Sequence, residues 1–444
     1  MRSAPEHLSP PTLRSIQLHS IPPEKFACTL ITPLYGGGVE AGKIDISMPI
    51  RATSIRGQLR FWWRITNRKR FSGAEKDQNM FAAEREIWGG LGKDDDLSAS
   101  KVDIRVTDIH IHQAPAAAAR YDRKKDNNQY ETSPHWESWA GGTKAGGYVL
   151  FPAQGKALKT AIQTEPSKLL KPGSVSWSLE IRFSDDCPAE SREQVLTALR
   201  WWASFGGIGG RTRRGLGAVR VENLAPVSKE EVKEHGCTLV LQEPAPQEKA
   251  HESAVEAWRA AIKALREFRQ EAGIGRNKGS GPNRPGRSRW PEADAIRRIT
   301  HKNSREHQPT HPAGNIFPRA AFGLPIIFQF KKDERSRDDP EQHSLQPENA
   351  ERLASPIILR PYWDGSKWRP AALYLGKETT KLILRGPRGD NPVKEWPEDG
   401  EQRKTAIQEI HPIQMVAKKH PGKIASPLAA FLNYFKKPTD YSEG

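Results

Sequence analysis

Ser204 to Val219 reads SFGGIGGRTRRGLGAV, sixteen positions with six glycines, three arginines and no acid. Glycine allows positive φ and close backbone approach to a ligand, and arginine presents a planar fork of donors that matches phosphate. The stretch therefore reads as a loop for a polyanion, although the same composition also fits a basic surface turn. Two familiar phosphate loops do not match. Gly210 and Gly215 have the spacing of a P-loop, but Leu216 and Gly217 stand where Lys and Ser/Thr are required. A dinucleotide fingerprint follows a strand and opens a helix. Here the order is reversed: Val195, Leu196, Leu199, Trp202 and Ala203 recur at helical spacing before the loop, and an alternating run, Ala218 to Leu224, follows it.

Working outward, the elements before this loop are strand, helix, strand, strand, helix. Phe26, Cys28 and Leu30 alternate as a strand. Arg51 to Arg70, RATSIRGQLRFWWRITNRKR, predicts a helix with Ser54 as N-cap. Ile55, Leu59 and Trp62 form its apolar face, and Arg56, Arg60 and Arg64 recur on another. The window holds seven basic residues and no acid, so pairing within the helix cannot neutralise that stripe. It is either a phosphate-tracking face or a solvated face with acidic partners elsewhere in the fold. A helix is expected over 79–88, strands over 102–111 and 175–183, and a helix over 189–204. With the strand after the glycine loop, the order becomes βαββαβ, the ferredoxin-like arrangement shared with RNA-recognition modules.

The whole chain has 444 residues and a formal net charge of +16, which favours a polyanionic partner, most simply nucleic acid. No apolar run approaches the roughly 18 residues of a membrane span, and the N-terminus lacks the apolar core of a signal peptide. Cys28, Cys187 and Cys237 are widely scattered and suggest a reducing cytoplasm without disulfides or a zinc site. Residues 1–24 read as a flexible arm and 25–230 as the first domain. Within that domain 113–172 forms a long irregular insertion carrying Tyr121, Arg123, Tyr130, Trp136 and Trp139. Residues 231–444 read as a second domain. Its clearest element is a helix from the capping box Ser253/Glu256 to Gly273. The stretch 274–305 reads as a basic loop, including Arg287 and Arg289, with nine Lys/Arg against two acids from Arg276 to Arg305. It is either a disordered linker or an arm that orders on RNA. Strands are expected near 357–359, 371–375 and 381–384, and a closing helix over 427–435.

Three stretches carry a family resemblance: Thr32-Pro33 with its trailing glycines, Ser54 to Arg64, and Phe205 to Gly217. Together they resemble the RAMP superfamily of CRISPR-associated RNA-binding proteins. Within it they are similar to the first RAMP subunit of type III-B (Cmr) effector complexes. Phe317 to Pro325 and Arg352 to Pro356 extend the likeness into the second half. The resemblance implies an α+β fold of two ferredoxin-like domains in tandem, the second degenerate. It also implies a non-catalytic subunit that contacts the 3′ region of a guide RNA, a target RNA, or both, in antiviral defence beside other Cmr subunits. The RNA-binding residues expected on this reading are Arg51, Arg56, Arg60, Arg64, Gly206, Gly207, Gly209, Gly210, Arg211, Arg213, Arg214, Gly215, Arg287 and Arg289. No cofactor or metal is expected. The alternative is a metal-independent RNA-processing endonuclease. That activity needs a general base and an acid, for which His110, His112, His301, His307 and His311 are the candidates. Asp94 to Asp96 is either an acidic turn or a weak Mg²⁺ site.

Overall fold

The computed structural model describes residues 22–92, 97–124, 129–134, 143–242, 253–278, 287–330, 338–377 and 380–441. Most of the proposed arm, Asp94 to Asp96, Trp136, Trp139 and residues 279–286 of the basic loop lie outside the described residues. The fold is mixed α+β, and its sheets are antiparallel.

The first sheet contains β1 (Glu24–Leu30), β2 (Val102–Ile111), β3 (Val175–Phe183) and β4 (Val219–Val221). Their spatial order is β4-β1-β3-β2, with every pair antiparallel. Helix α1 (Ala52–Asn67) joins β1 towards β2, through α2 (Lys76–Trp88), and α4 (Ala189–Phe205) joins β3 to β4. The helical and strand periods of the sequence explain this layering. Cys28, Leu30, Val175, Trp177, Leu179 and Ile181 alternate onto one side of the sheet. There they meet Ile55, Leu59, Trp62 and Trp63 of α1 and Leu199, Trp201, Trp202 and Phe205 of α4 in one core. Burying each such side chain contributes about 2–3 kcal/mol. Ser54 does not cap α1: Arg51 occupies the N-cap in extended conformation and makes no capping bond.

The insertion 113–172 is more ordered than its lack of periodicity suggested. It contains short paired strands and α3 (Thr143–Leu150). Val149, Leu150, Ala153 and Leu169 pack into a second core with the helix α5 (Ala254–Gln270). These segments are too short for any period to show, and their apolar partners on α5 lie far away in the chain. The capping box on α5 forms, with Ser253 Oγ accepting from the Glu256 N–H.

The second half builds a three-stranded sheet, β5 (Thr238–Leu241), β8 (Ile357–Trp363) and β9 (Trp368–Tyr374), in the order β5-β9-β8. A separate four-stranded sheet contains β6 (Ile326–Phe328), β7 (His343–Pro347), β10 (Leu382–Gly386) and β11 (Gly389–Val393). The expected basic loop 274–305 is a loop only in part. Glu292–Thr300 forms helix α6, with Glu292, Asp294 and Arg297 buried. Its charges look outward in sequence but are paired inward: Arg297 binds Asp294 and Asp339 at 3.0 Å each. Helix α7 (Pro427–Lys436), capped by Ser426, closes the second core.

Candidate nucleic-acid interface

The glycine-rich loop runs from the C-terminus of α4 to β4 and has two unlike parts. Its base is buried. Gly206 donates to Trp202 O, Ile208 to Gly217 O, and Gly217 to Pro33 O. Thr32, fully buried at the end of β1, donates to Gly215 O at 2.6 Å and accepts from the Ala218 N–H at 2.8 Å. Gly217 has φ +65, and a Cβ there would stand 1.9 Å from Ile208 O. The glycines of the base thus serve close packing of the chain on itself.

Two of the loop's three arginines are spent in the same way. Arg214 donates to Phe322 O at 3.0 Å, Ser355 Oγ at 3.2 Å and Ile357 O at 3.4 Å. Trp258 Nε1 in turn donates to Arg214 O at 2.8 Å. Burial pushes the Arg214 guanidinium down to about 10 because the charged form is desolvated. Arg213 lies over the Phe61 ring at 5.2 Å and donates to Ser355 O at 2.5 Å. Both side chains bind the second half of the protein.

Arg360 completes this junction and was not singled out from the sequence. It is 2% exposed and donates to Gly206 O (2.8 Å), Val219 O (3.3 Å) and Trp202 O (3.4 Å). Two of these carbonyls end α4, where the unsatisfied carbonyls and the helix dipole favour a cation. Burial nevertheless lowers its pKa to about 9. A charged residue inside the apolar run Ile357-Ile358-Leu359-Arg360 was the available signal, since a buried charge requires partners.

The tip of the loop differs. Gly209 and Arg211 are exposed and Gly210 is half-buried. Gly210 donates to Tyr35 O at 2.6 Å, while the N–H groups of Gly209, Arg211 and Thr212 donate to no backbone carbonyl among the described residues. A Cβ on Gly37 would stand 3.2 Å from Gly209 Cα, so the glycines after Thr32-Pro33 face the glycines of the tip. Arg51 donates to Gly37 O and, at 3.2 Å, to Gly38 O, which brings a second guanidinium to this seam. The Arg211 carbonyl accepts from the Arg214 N–H at 2.8 Å, and its side chain makes no hydrogen bond or ion pair among the described residues. The residue holds φ +59, a left-handed conformation that costs an L-residue about 1–2 kcal/mol. Successive amides beside a left-handed residue form an anion-binding concavity.

The arginine stripe on α1 is not bare in three dimensions. Arg60 and Arg64 both bind Glu84 Oε1 on α2, at 2.6 and 2.7 Å, and Glu84 is buried. Arg56 donates to Trp88 O and Val102 O, and burial lowers its pKa. These contacts occupy the acidic-partner alternative raised by the sequence. Arg60 and Arg64 keep about a third of their side-chain surface in solvent. Farther off, Arg287 binds Asp294 at 3.1 Å, and Arg289 donates to Asn277 Oδ1 and Gly273 O.

The histidines are dispersed. His110 and His112 stack at 6.3 Å on the exposed end of β2, with His112 Nε2 2.9 Å from Ser176 Oγ. His301 takes the left-handed C-cap position of α6. His307 Nδ1 lies 2.6 Å from Asp339. His311 is held below its ordinary pKa, mainly by burial. Among the described residues no group of three His, Cys, Asp or Glu side chains could hold a metal ion, and no helix is long and apolar enough to cross a membrane. The three cysteines are buried and unpaired.

Residues 27–220, which run from within β1 to within β4 and include the whole glycine loop, match the family model of the RAMP superfamily. Over this stretch the chain is similar to the RAMP superfamily. The loop tip, the seam glycines and α1 all fall within the matched residues. No curated protein matches the chain. Among solved structures, the chain is similar to apo Cmr1 from Pyrococcus furiosus, at 15% identity and TM-score 0.40, over 81% of this chain and 89% of that one. It is also similar to a chain of the type III-B Cmr-beta complex bound to cognate target RNA, at 10% identity and TM-score 0.39, over 87% and 98%. A chain of a type IV-B CRISPR complex aligns at 12% identity and TM-score 0.29, over 44% and 88%.

Proposed function

We propose that this protein is a non-catalytic, RNA-binding subunit of a type III-B CRISPR-Cas (Cmr) ribonucleoprotein. Its RNA-gripping element is the seam between the Gly209–Arg211 tip and the Gly36–Gly38 loop. The observation that carries this reading is Arg211. It is an exposed arginine without an acidic partner, in a strained left-handed conformation, beside unpaired amides and within the RAMP-matched unit. Backbone strain at such a position is retained where the surroundings make use of it. Arg51 supplies a second cation, and the formal charge of +16 supplies long-range attraction for a polyanion. The partners on this reading are guide RNA, target RNA and the neighbouring Cmr subunits, in a cytoplasmic complex. The sequence motifs 32–38, 54–64 and 205–217 tie it to the first RAMP subunit. The second half, a β-α-β-β series in the order β5-β9-β8 followed by α7, is a degenerate copy of the first on the same reading.

The test is fluorescence anisotropy with single-stranded RNA over a range of salt concentrations. Replacing Arg51 and Arg211 together with Ala weakens binding evenly across RNA sequences. It also flattens the slope of log K against log [salt] by about 1.4, since each phosphate contact on a single strand contributes about 0.7. An unchanged slope removes the seam from the RNA interface. RNA cleavage by the purified chain in EDTA that disappears in His110→Ala or His301→Ala would overturn the non-catalytic part.

A further inference from the structure

The first sheet leaves one side without helices, and a second set of groups suited to RNA stands at its β4 edge. Cross-strand register places Arg220 of β4, Thr29 of β1, Ser176 of β3 and His110 of β2 in one row. Beside Arg220 are Trp363 and Trp368, which face each other across the β8–β9 hairpin with ring centroids 5.2 Å apart, edge to face. The Arg220 guanidinium lies 4.5 Å from the Trp363 ring centroid and 5.8 Å from that of Trp368.

These two tryptophans are unlike the others in the described residues. Trp62, Trp63, Trp88, Trp177, Trp201, Trp202, Trp258 and Trp290 are buried, and the half-buried Trp396 gives its indole N–H to Ala425 O. Trp363 and Trp368 are half-buried, and neither indole N–H has an acceptor among the described residues. Arg220 is 24% exposed at its side chain and has an acidic neighbour, Glu222, at 3.7 Å, while its face rests on an aromatic ring. The other nearby acid is already engaged: Asp364 accepts from Ser366 and Lys367 within its own turn and pairs with Arg369 at 3.6 Å. Half-exposed indoles beside an arginine are the combination that stacks a nucleobase and holds its phosphate.

We infer that Trp363, Trp368 and Arg220 form a second RNA contact, a base-stacking site for single-stranded RNA. Arg220 is three residues past Gly217, on the strand that the glycine-rich loop feeds. The strand therefore links the phosphate seam to the stacking site. Rings on a hairpin of the second half and a guanidinium on the first make the site depend on the junction held by Arg214 and Arg360. The proposal rests on the RNA-binding reading above.

The experiment uses the full chain and a single-stranded RNA carrying 4-thiouridine. Ultraviolet crosslinks are mapped by mass spectrometry, and affinity is measured by anisotropy. The expected result is a crosslink in the peptide containing Trp363 to Trp368. About a tenfold loss of affinity is expected in Trp363→Leu/Trp368→Leu, with most of it restored in Trp363→Phe/Trp368→Phe. The phenylalanine pair also controls for folding, because it keeps the packing. RNA binding that depends on Arg51 and Arg211, with no crosslink at the hairpin and no loss in the leucine pair, overturns this inference alone. Absence of any RNA binding overturns both readings.

Discussion

Arg211 and Arg214 stand three residues apart in one loop and have opposite surroundings. Arg214 lies among the carbonyls of Phe322 and Ile357 and the hydroxyl of Ser355, with its pKa pushed down to about 10 by burial. Arg211 is exposed, with its pKa lowered by partial burial, and stands in a left-handed conformation beside amides that donate to no backbone carbonyl. The base of the loop joins the two halves of the protein; the tip is available to a partner. A basic, glycine-rich stretch therefore need not be a ligand site along its whole length. Its residues divide according to whether the chain supplies acceptors for them.

The division is sharpest at Gly217. In Gly217→Ala the new Cβ meets Ile208 O at a backbone of positive φ, and a loss of about 3 kcal/mol or more is expected. Thermal or urea denaturation reads it directly; a variant of wild-type stability would show that the base is not close-packed. Arg214→Met comes next. It leaves Phe322 O and Ile357 O without their donor but also removes a desolvated charge, so about 2 kcal/mol is expected. Its RNA affinity at a temperature where it remains folded should match that of the wild type. A selective loss of affinity at unchanged stability would move Arg214 into the interface and erase the contrast.

The smallest change in stability is expected at the tip. Arg211→Gly relieves the left-handed strain but adds freedom to the unfolded chain, so denaturation should shift by less than about 0.5 kcal/mol. RNA affinity should nevertheless fall, with a shallower salt dependence. Equal affinity in this variant would return the tip to the status of a surface turn. On α1, Arg64→Ala tests the neutralised stripe in the same assay. Glu84 retains Arg60 as a partner, so a change in the salt slope smaller than that of Arg211→Gly is expected.

Most of the main elements of the first sheet were readable because they have a long, regular period. Strand β3 alternates through Val175, Trp177, Leu179, Ile181 and Phe183, and α4 repeats its apolar residues at helical spacing. The insertion and most of the second sheet of the second half were not readable, since their strands of two to five residues are shorter than any diagnostic period, and of that sheet only β10 was expected, near 381–384. Helix α6 was hidden by its charges. Its arginines suggested solvent, and the burial of Arg297 is made favourable by Asp294 of the same helix together with the distant Asp339.

For the candidate interface, local composition determined that residues 204–219 form a tight basic loop between a helix and a strand, and that residues 51–70 form a helix rich in arginine. Those conclusions need only backbone sterics, side-chain period and charge, which act over a few residues. Tertiary structure decided which cations remain available. Glu84 reaches Arg60 and Arg64 from another helix, while Phe322, Ser355 and Ile357 reach Arg214 from more than a hundred residues away. A guanidinium becomes structural or functional according to the acceptors within about 3 Å of it, and the fold alone places those acceptors.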